Sequence, residues 1–185
     1  NMKILKSVLC IILSAVMLTA CGTSKNVEYF TNYIEATNSQ IPDYMRYLPE
    51  MLADYENTDD ITFHVADNSI AYSLDASVEG KSGFTYSDIT VHIRYHKDDV
   101  ATVIGGLSMD FDENDITKGV KHEYKDITYA ITYVDAPGSE TVDLNVIYPL
   151  SGNVSAYFTV KLDGNDNMDE KTLDKICKDM QMIKL

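Results

Sequence analysis

Apolar positions along the chain change their period several times, and each change marks a new element. Val27, Phe30 and Ile34 recur at helical spacing behind Asn26, which predicts a helix over about 27–37 with Asn26 as its N-cap. Ile41-Pro42-Asp43 turns the chain, and Tyr44, Leu48, Met51, Leu52 and Tyr55 make a second apolar stripe that Pro49 should kink or restart. From Ile61 the period drops to two. Ile61, Phe63 and Val65, the turn Asp67-Asn68, and then Ile70, Tyr72 and Leu74 read as a hairpin. Phe84 to Tyr95 follows as a strand with Ile89, Val91, Ile93 and Tyr95 on one face and Thr90, His92, Arg94 and His96 on the other.

Residues 98–119 carry the weakest pattern and are read as a short helix or strand, Val100 to Ile104, followed by an exposed acidic loop. The pattern sharpens again at Ile127, Tyr129, Ile131 and Tyr133. After Ala136-Pro137-Gly138-Ser139 come Val142, Leu144, Val146 and Tyr148, and after a second turn Val154, Ala156, Phe158, Val160 and Leu162. Short links make these three strands an antiparallel meander. Asn167, with Glu170 three residues on, is a capping-box-like start for a closing helix whose stripe is Leu173, Ile176, Cys177, Met180 and Ile183. The expected class is α+β: N-terminal helices, an antiparallel sheet ending in a three-strand meander, and a C-terminal helix laid on one sheet face.

The first twenty residues follow a different rule. Lys3 and Lys6 precede an apolar run from Val8 to Leu18, and the small residues Thr19 and Ala20 stand before Cys21. A positive start, a short apolar run and a small-residue exit make a secretory signal, too short for a confident membrane span. With cysteine next, Leu18-Thr19-Ala20-Cys21 resembles the lipobox of bacterial lipoproteins. The resemblance implies that the Cys21 thiol is acylated and becomes the new N-terminus. Residues 1–20 are then the signal, 21–26 a lipidated tether and 27–185 a single α+β domain. The expected location is the extracytoplasmic face of the cell membrane, with the lipid anchor as membrane contact.

A meander closed by a helix behind such a signal also resembles small α+β domains of secreted bacterial lipoproteins, including those of the PsbP and Mog1 type. That likeness implies a binding or assembly role and brings no catalytic residues with it.

Charge narrows the partners. The full chain carries 29 acidic and 15 basic side chains, net −14, and loss of Lys3 and Lys6 leaves −16. No basic footprint for nucleic acid is gathered anywhere, and an anionic lipid surface would be repelled except through the acyl chain. Cys10 leaves with the signal and Cys21 is used by the anchor, so Cys177 has no disulfide partner and is expected to be buried and inert on its apolar stripe.

Three constellations could carry chemistry. His92 and His96 sit four apart, but four strand residues span about 13 Å, too far for one metal ion. With Arg94 between them they read as a solvated row that could meet an anionic ligand. Tyr157, alternating with Phe158, joins that exposed face as a recognition ring. Asp110, Asp112 and Asn114 begin like a calcium loop, yet Asp115 stands where the turn needs glycine and Lys121 where the bidentate glutamate belongs. Asp163-Gly164-Asn165-Asp166-Asn167 has similar oxygen density, with Met168 at its glycine position. Weak calcium binding is the most that either offers, and no other cofactor is expected.

Gly105-Gly106 lacks the lysine and hydroxyl of a phosphate loop, and no nucleophile elbow occurs. With 29 acidic residues no glycosidase pair can be singled out. The leading expectation is a non-catalytic, membrane-anchored binding or accessory domain for a protein, peptide or cell-envelope component. The alternative is an envelope hydrolase or small-ligand receptor with an acidic or histidine-containing cleft.

Overall fold

The computed structural model describes residues 25–36, 41–66, 69–112, 114–134, 136–164 and 167–185. Lys3, Lys6, the Leu18-Thr19-Ala20-Cys21 motif, tether residues 22–24 and the Asp67-Asn68 turn lie outside them. The described chain is α+β, as the periodicities imply. Helix α1 (Lys25–Ala36) leads through a 3-10 turn (Asp43–Met45) to β1 (Tyr47–Pro49) and α2 (Glu50–Ala53). Then come β2 (Thr62–Ala66), β3 (Ser69–Leu74), β4 (Val78–Glu79), β5 (Thr85–Tyr95) and α3 (Val100–Gly106). Strands β6 (Thr117–Tyr124), β7 (Ile127–Val134), β8 (Thr141–Ser151) and β9 (Val154–Asp163), helix α4 (Glu170–Asp179) and β10 (Met182–Lys184) complete it. Among the described residues the main sheet has eight strands in the order β2-β3-β5-β9-β8-β7-β6, with β4 beside β5. Every pairing in it is antiparallel.

The two sheet faces have different cover. The inner face carries Ile70, Tyr72, Ile89, Val91, Ile93, Leu144, Val146, Phe158 and Val160, all buried with Phe30 and Ile34 of α1, Leu52 of α2, and Leu173, Ile176, Cys177 and Met180 of α4 in one core. The outer face is covered only in part. There α3 lays Val100 and Ile104 on Ala130 of β7 with Ile147 and Met109 beside them, a small separate cluster.

Four tyrosines explain how the inner layer is held in register. Tyr148 donates to the Met180 carbonyl (2.6 Å), Tyr72 to the Tyr47 carbonyl (2.7 Å) and Tyr86 to the Asp179 carboxylate (2.9 Å), while Tyr129 accepts from Gln181 (2.8 Å). Each ring supplies apolar area to the core and each hydroxyl satisfies a polar group that burial would otherwise strand. Asp179 is buried at the end of α4, where the Ser82 amide (2.7 Å) and Ser82 hydroxyl also donate to it. Gly80 passes so close above that carboxylate that a Cβ there would collide with it.

Several boundaries differ from the sequence expectation, each for a physical reason. Asn26 is not an N-cap: it lies inside α1, buried, and its amide donates to the Leu52 (2.8 Å) and Tyr55 (2.5 Å) carbonyls, closing the end of α2 instead. Pro49 does restart the chain, as the N-cap residue of α2. The cap of α4 is Asp169, whose carboxylate accepts from the Thr172 amide (2.8 Å), and not Asn167. Ile183 has left the helical stripe for β10, where it pairs with Leu48 of β1.

The meander has four strands, not three. β6 turns into β7 through Lys125-Asp126, both at positive φ (50° and 62°), the conformation of a type I′ hairpin usually signalled by Asn-Gly. In β5 a bulge at Ser87–Thr90, with Asp88 at φ 49°, changes phase so that Tyr86 and Ile89 both point inward. Tyr95, past the helical cover, is exposed despite its inward parity.

Candidate functional site

On the outer face, residues from seven strands line up in register. Thr62, Ser73, Thr90, Thr159, Asn145 and Thr132 form one cross-strand row of hydroxyls and an amide. The next row runs His64, Ala71, His92, Tyr157, Ile147, Ala130 and Lys121. Period-two alternation places them there: most of these alternate with buried apolar neighbours on the same strand.

The structure brings His92, Arg94, His96 and Tyr157 together. His92 sits opposite Tyr157 with ring centroids 6.4 Å apart and planes 30° from parallel. Arg94 lies opposite Ser155, and the Ser155 hydroxyl meets His96 Nε2 at 2.8 Å. Tyr157 donates to Asn145 Oδ1 (2.9 Å), which also accepts from Thr159 (3.1 Å). Partial burial, and then the Arg94 guanidinium, hold both His92 and His96 below the usual imidazole range. Near neutral pH the positive charge of this group therefore resides on Arg94, between two neutral imidazoles.

The His96–Ser155 contact has the spacing of a nucleophile and base, but Ser155 is 1% exposed, so no substrate carbonyl can reach it. Among the described residues no carboxylate hydrogen-bonds His96. The pair locks the exit of β5 instead, together with the His96 amide on the Asn153 carbonyl (2.7 Å).

The acidic loop is engaged with itself. Asp112 Oδ1 accepts from both the backbone (2.9 Å) and side-chain (3.0 Å) nitrogens of Asn114, which lowers the Asp112 pKa, and Asp110 accepts from Ser108 (3.4 Å). Among the described residues no three His, Cys, Asp or Glu side chains are grouped to hold a metal ion. Ahead of β6, the Phe111 ring lies on Gly119 so closely that any Cβ there would strike it. Cys177 is buried, and burial pushes its thiol up to about 12.

Two cavities escaped the sequence reading. One, about 430 Å³, is lined by Met51, Asp54, Tyr55, Glu56, Asn57, Ser77, Val78 and Glu79. The other, about 320 Å³, lies between Tyr44 and Tyr95 and the β8–β9 turn. Their walls come from segments far apart in sequence, so no local spacing announces them. No family model, no curated protein and no solved structure matches this chain.

Proposed function

We propose that this chain is an extracytoplasmic lipoprotein, anchored through Cys21, whose folded part is a non-catalytic binding or accessory domain. The observation that carries the binding half is the contrast between an inner face largely covered by helices and an outer face left open across several strands. That open face offers neutral hydrogen-bonding groups in straight rows, one exposed guanidinium at Arg94, and the His92–Tyr157 ring pair. A broad, half-polar sheet face suits a protein, peptide or envelope component better than a small substrate, which needs enclosure. The anchoring half rests on Leu18-Thr19-Ala20-Cys21 and the two lysines before it.

Both halves can be tested in one strain. Growth with an alkyne-bearing fatty acid should label the wild-type protein and not Cys21→Ser. A photo-crosslinking residue at Thr159, on the outer face, should capture a discrete partner, while the same group at Asp174, exposed on α4, should not. Equal labelling of Cys21→Ser would end the anchor reading, and capture from Asp174 alone would end the outer-face reading.

A second reading, a small-ligand receptor or hydrolase with an acidic cleft, draws on the cavity that Asp54, Glu56 and Glu79 line. Protection of the Asp54–Asn57 amides from hydrogen exchange by a small cationic ligand, without change at Thr159, would favour it.

A further inference from the structure

The cavity between Tyr44 and Tyr95 has the chemistry of a small binding site. Tyr44, on the 3-10 turn, and Tyr95, at the end of β5, are 48% and 41% exposed, unlike the four tyrosines buried in the core. Their ring centroids are 5.7 Å apart and their planes open at 50°, so they form a notch and not a closed stack. Ser151, Gly152, Asn153 and Val154 make the opposite wall.

That wall is fixed before any ligand arrives. The Gly152 carbonyl accepts from the Val100 amide (2.7 Å) and the Asn153 carbonyl from the His96 amide (2.7 Å). Asn153 Nδ2 is spent on the His96 and Lys97 carbonyls (3.2 Å each). The turn is thereby stapled to the exit of β5, while among the described residues no hydrogen bond engages Asn153 Oδ1, the Ser151 hydroxyl or the two phenol hydroxyls of this lining. Among the described residues no carboxylate, ammonium or guanidinium lines the cavity, and Asp43 and Arg46, on either side of the Tyr44 turn, pair with each other (3.4 Å).

We propose that this notch is a subsite for one ring of a neutral glycan. A sugar ring has an apolar C–H face to lay on a tyrosine and a rim of hydroxyls for neutral donors and acceptors, which is the combination present here. The cavity volume of about 320 Å³ is that of a ring-sized guest, and the stapled turn forms one wall. The site uses neither the anchor nor the outer sheet face, so it stands or falls independently of them.

The test is titration of the full chain, with carbon-13-labelled tyrosine side chains, by three soluble trisaccharides: of N-acetylglucosamine, of β-linked glucose and of α-linked glucose. At least one should give saturable shifts at the Tyr44 and Tyr95 rings, assigned by their loss in Tyr44→Leu and Tyr95→Leu, with none at Tyr157. Tyr44→Ala, at a position 48% exposed, should weaken binding about ten-fold, while Tyr29→Ala, on an exposed face of α1 outside the notch, leaves it unchanged. The proposal is overturned if no sugar gives saturable shifts at tens of millimolar, if Tyr44→Ala binds as well as wild type, or if only a polyproline peptide moves these rings.

Discussion

Tyr157 and Phe158 are consecutive on β9, yet they live in two different proteins as far as physical chemistry is concerned. Phe158 is fully buried, stacked beside Tyr148 at 6.4 Å under the helical layer. Tyr157 stands half-buried on the other side, touching His92 and donating to Asn145. The inner face spends its side chains on packing and satisfies every buried polar atom among the described residues. Outward-facing side chains carry less of that burden, so they are free to be chosen for contact with something else.

Substitutions that strike the two faces separately should expose this asymmetry. The largest effect belongs to Phe158→Ala, which should cost about 3–5 kcal/mol through lost burial and the cavity left behind, against about 1 kcal/mol for Tyr157→Ala. Urea denaturation of the two variants decides it, and similar midpoints would abolish the distinction between faces. Asp179→Ala comes next, at about 2–3 kcal/mol, because the Ser82 amide, the Ser82 hydroxyl and the Tyr86 hydroxyl all lose their acceptor in a buried place. Exposed Asp143→Ala on the outer face should stay within about 0.5 kcal/mol.

The smallest effect is the dependence of the outer face on pH. His92 and His96 have folded-state pKa values below the unfolded one, so acid favours the unfolded chain, which takes up protons first. Their contribution to stability is whole above the unfolded value of about 6.5 and is lost as pH falls toward the folded values. Wild type should therefore lose more stability between neutral pH and mild acid than the double variant His92→Gln/His96→Gln. Arg94→Gln should lie between them, since it removes only one of the two causes. Parallel pH profiles for all three would show that these imidazoles are not held low by their surroundings.

What the sequence made legible was whatever alternates or recurs over several turns. The β2–β3 hairpin, the inward residues of β5, β8 and β9, and the outward placement of His92, Arg94 and Tyr157 all follow from period two. β6 was lost because Thr117-Lys118-Gly119-Val120-Lys121-His122-Glu123-Tyr124 mixes charge into both faces. It holds its place through partners elsewhere, His122 on Asp174 (2.8 Å) and Lys121 on the Gly105 carbonyl (2.7 Å). The Asn26 cap misled for a related reason, since a side chain that can cap its own helix can equally close a distant one, while at Asn167 the cap fell two residues later, on Asp169. The Tyr44–Tyr95 notch needs two segments about fifty residues apart, and nothing at either end foretells the other.

The short ladder of β1 with β10 sets an order of events. Residues 182–184 pair with 47–49, and the Leu185 amide reaches the Arg46 carbonyl at 3.0 Å. Strand β1 thus has no partner until residues 182–185 have been made and brought back to it. A polypeptide emerging in sequence would hold residues 47–49 without their ladder until nearly the whole chain had followed, so the last few residues act as the latch of the first helical layer.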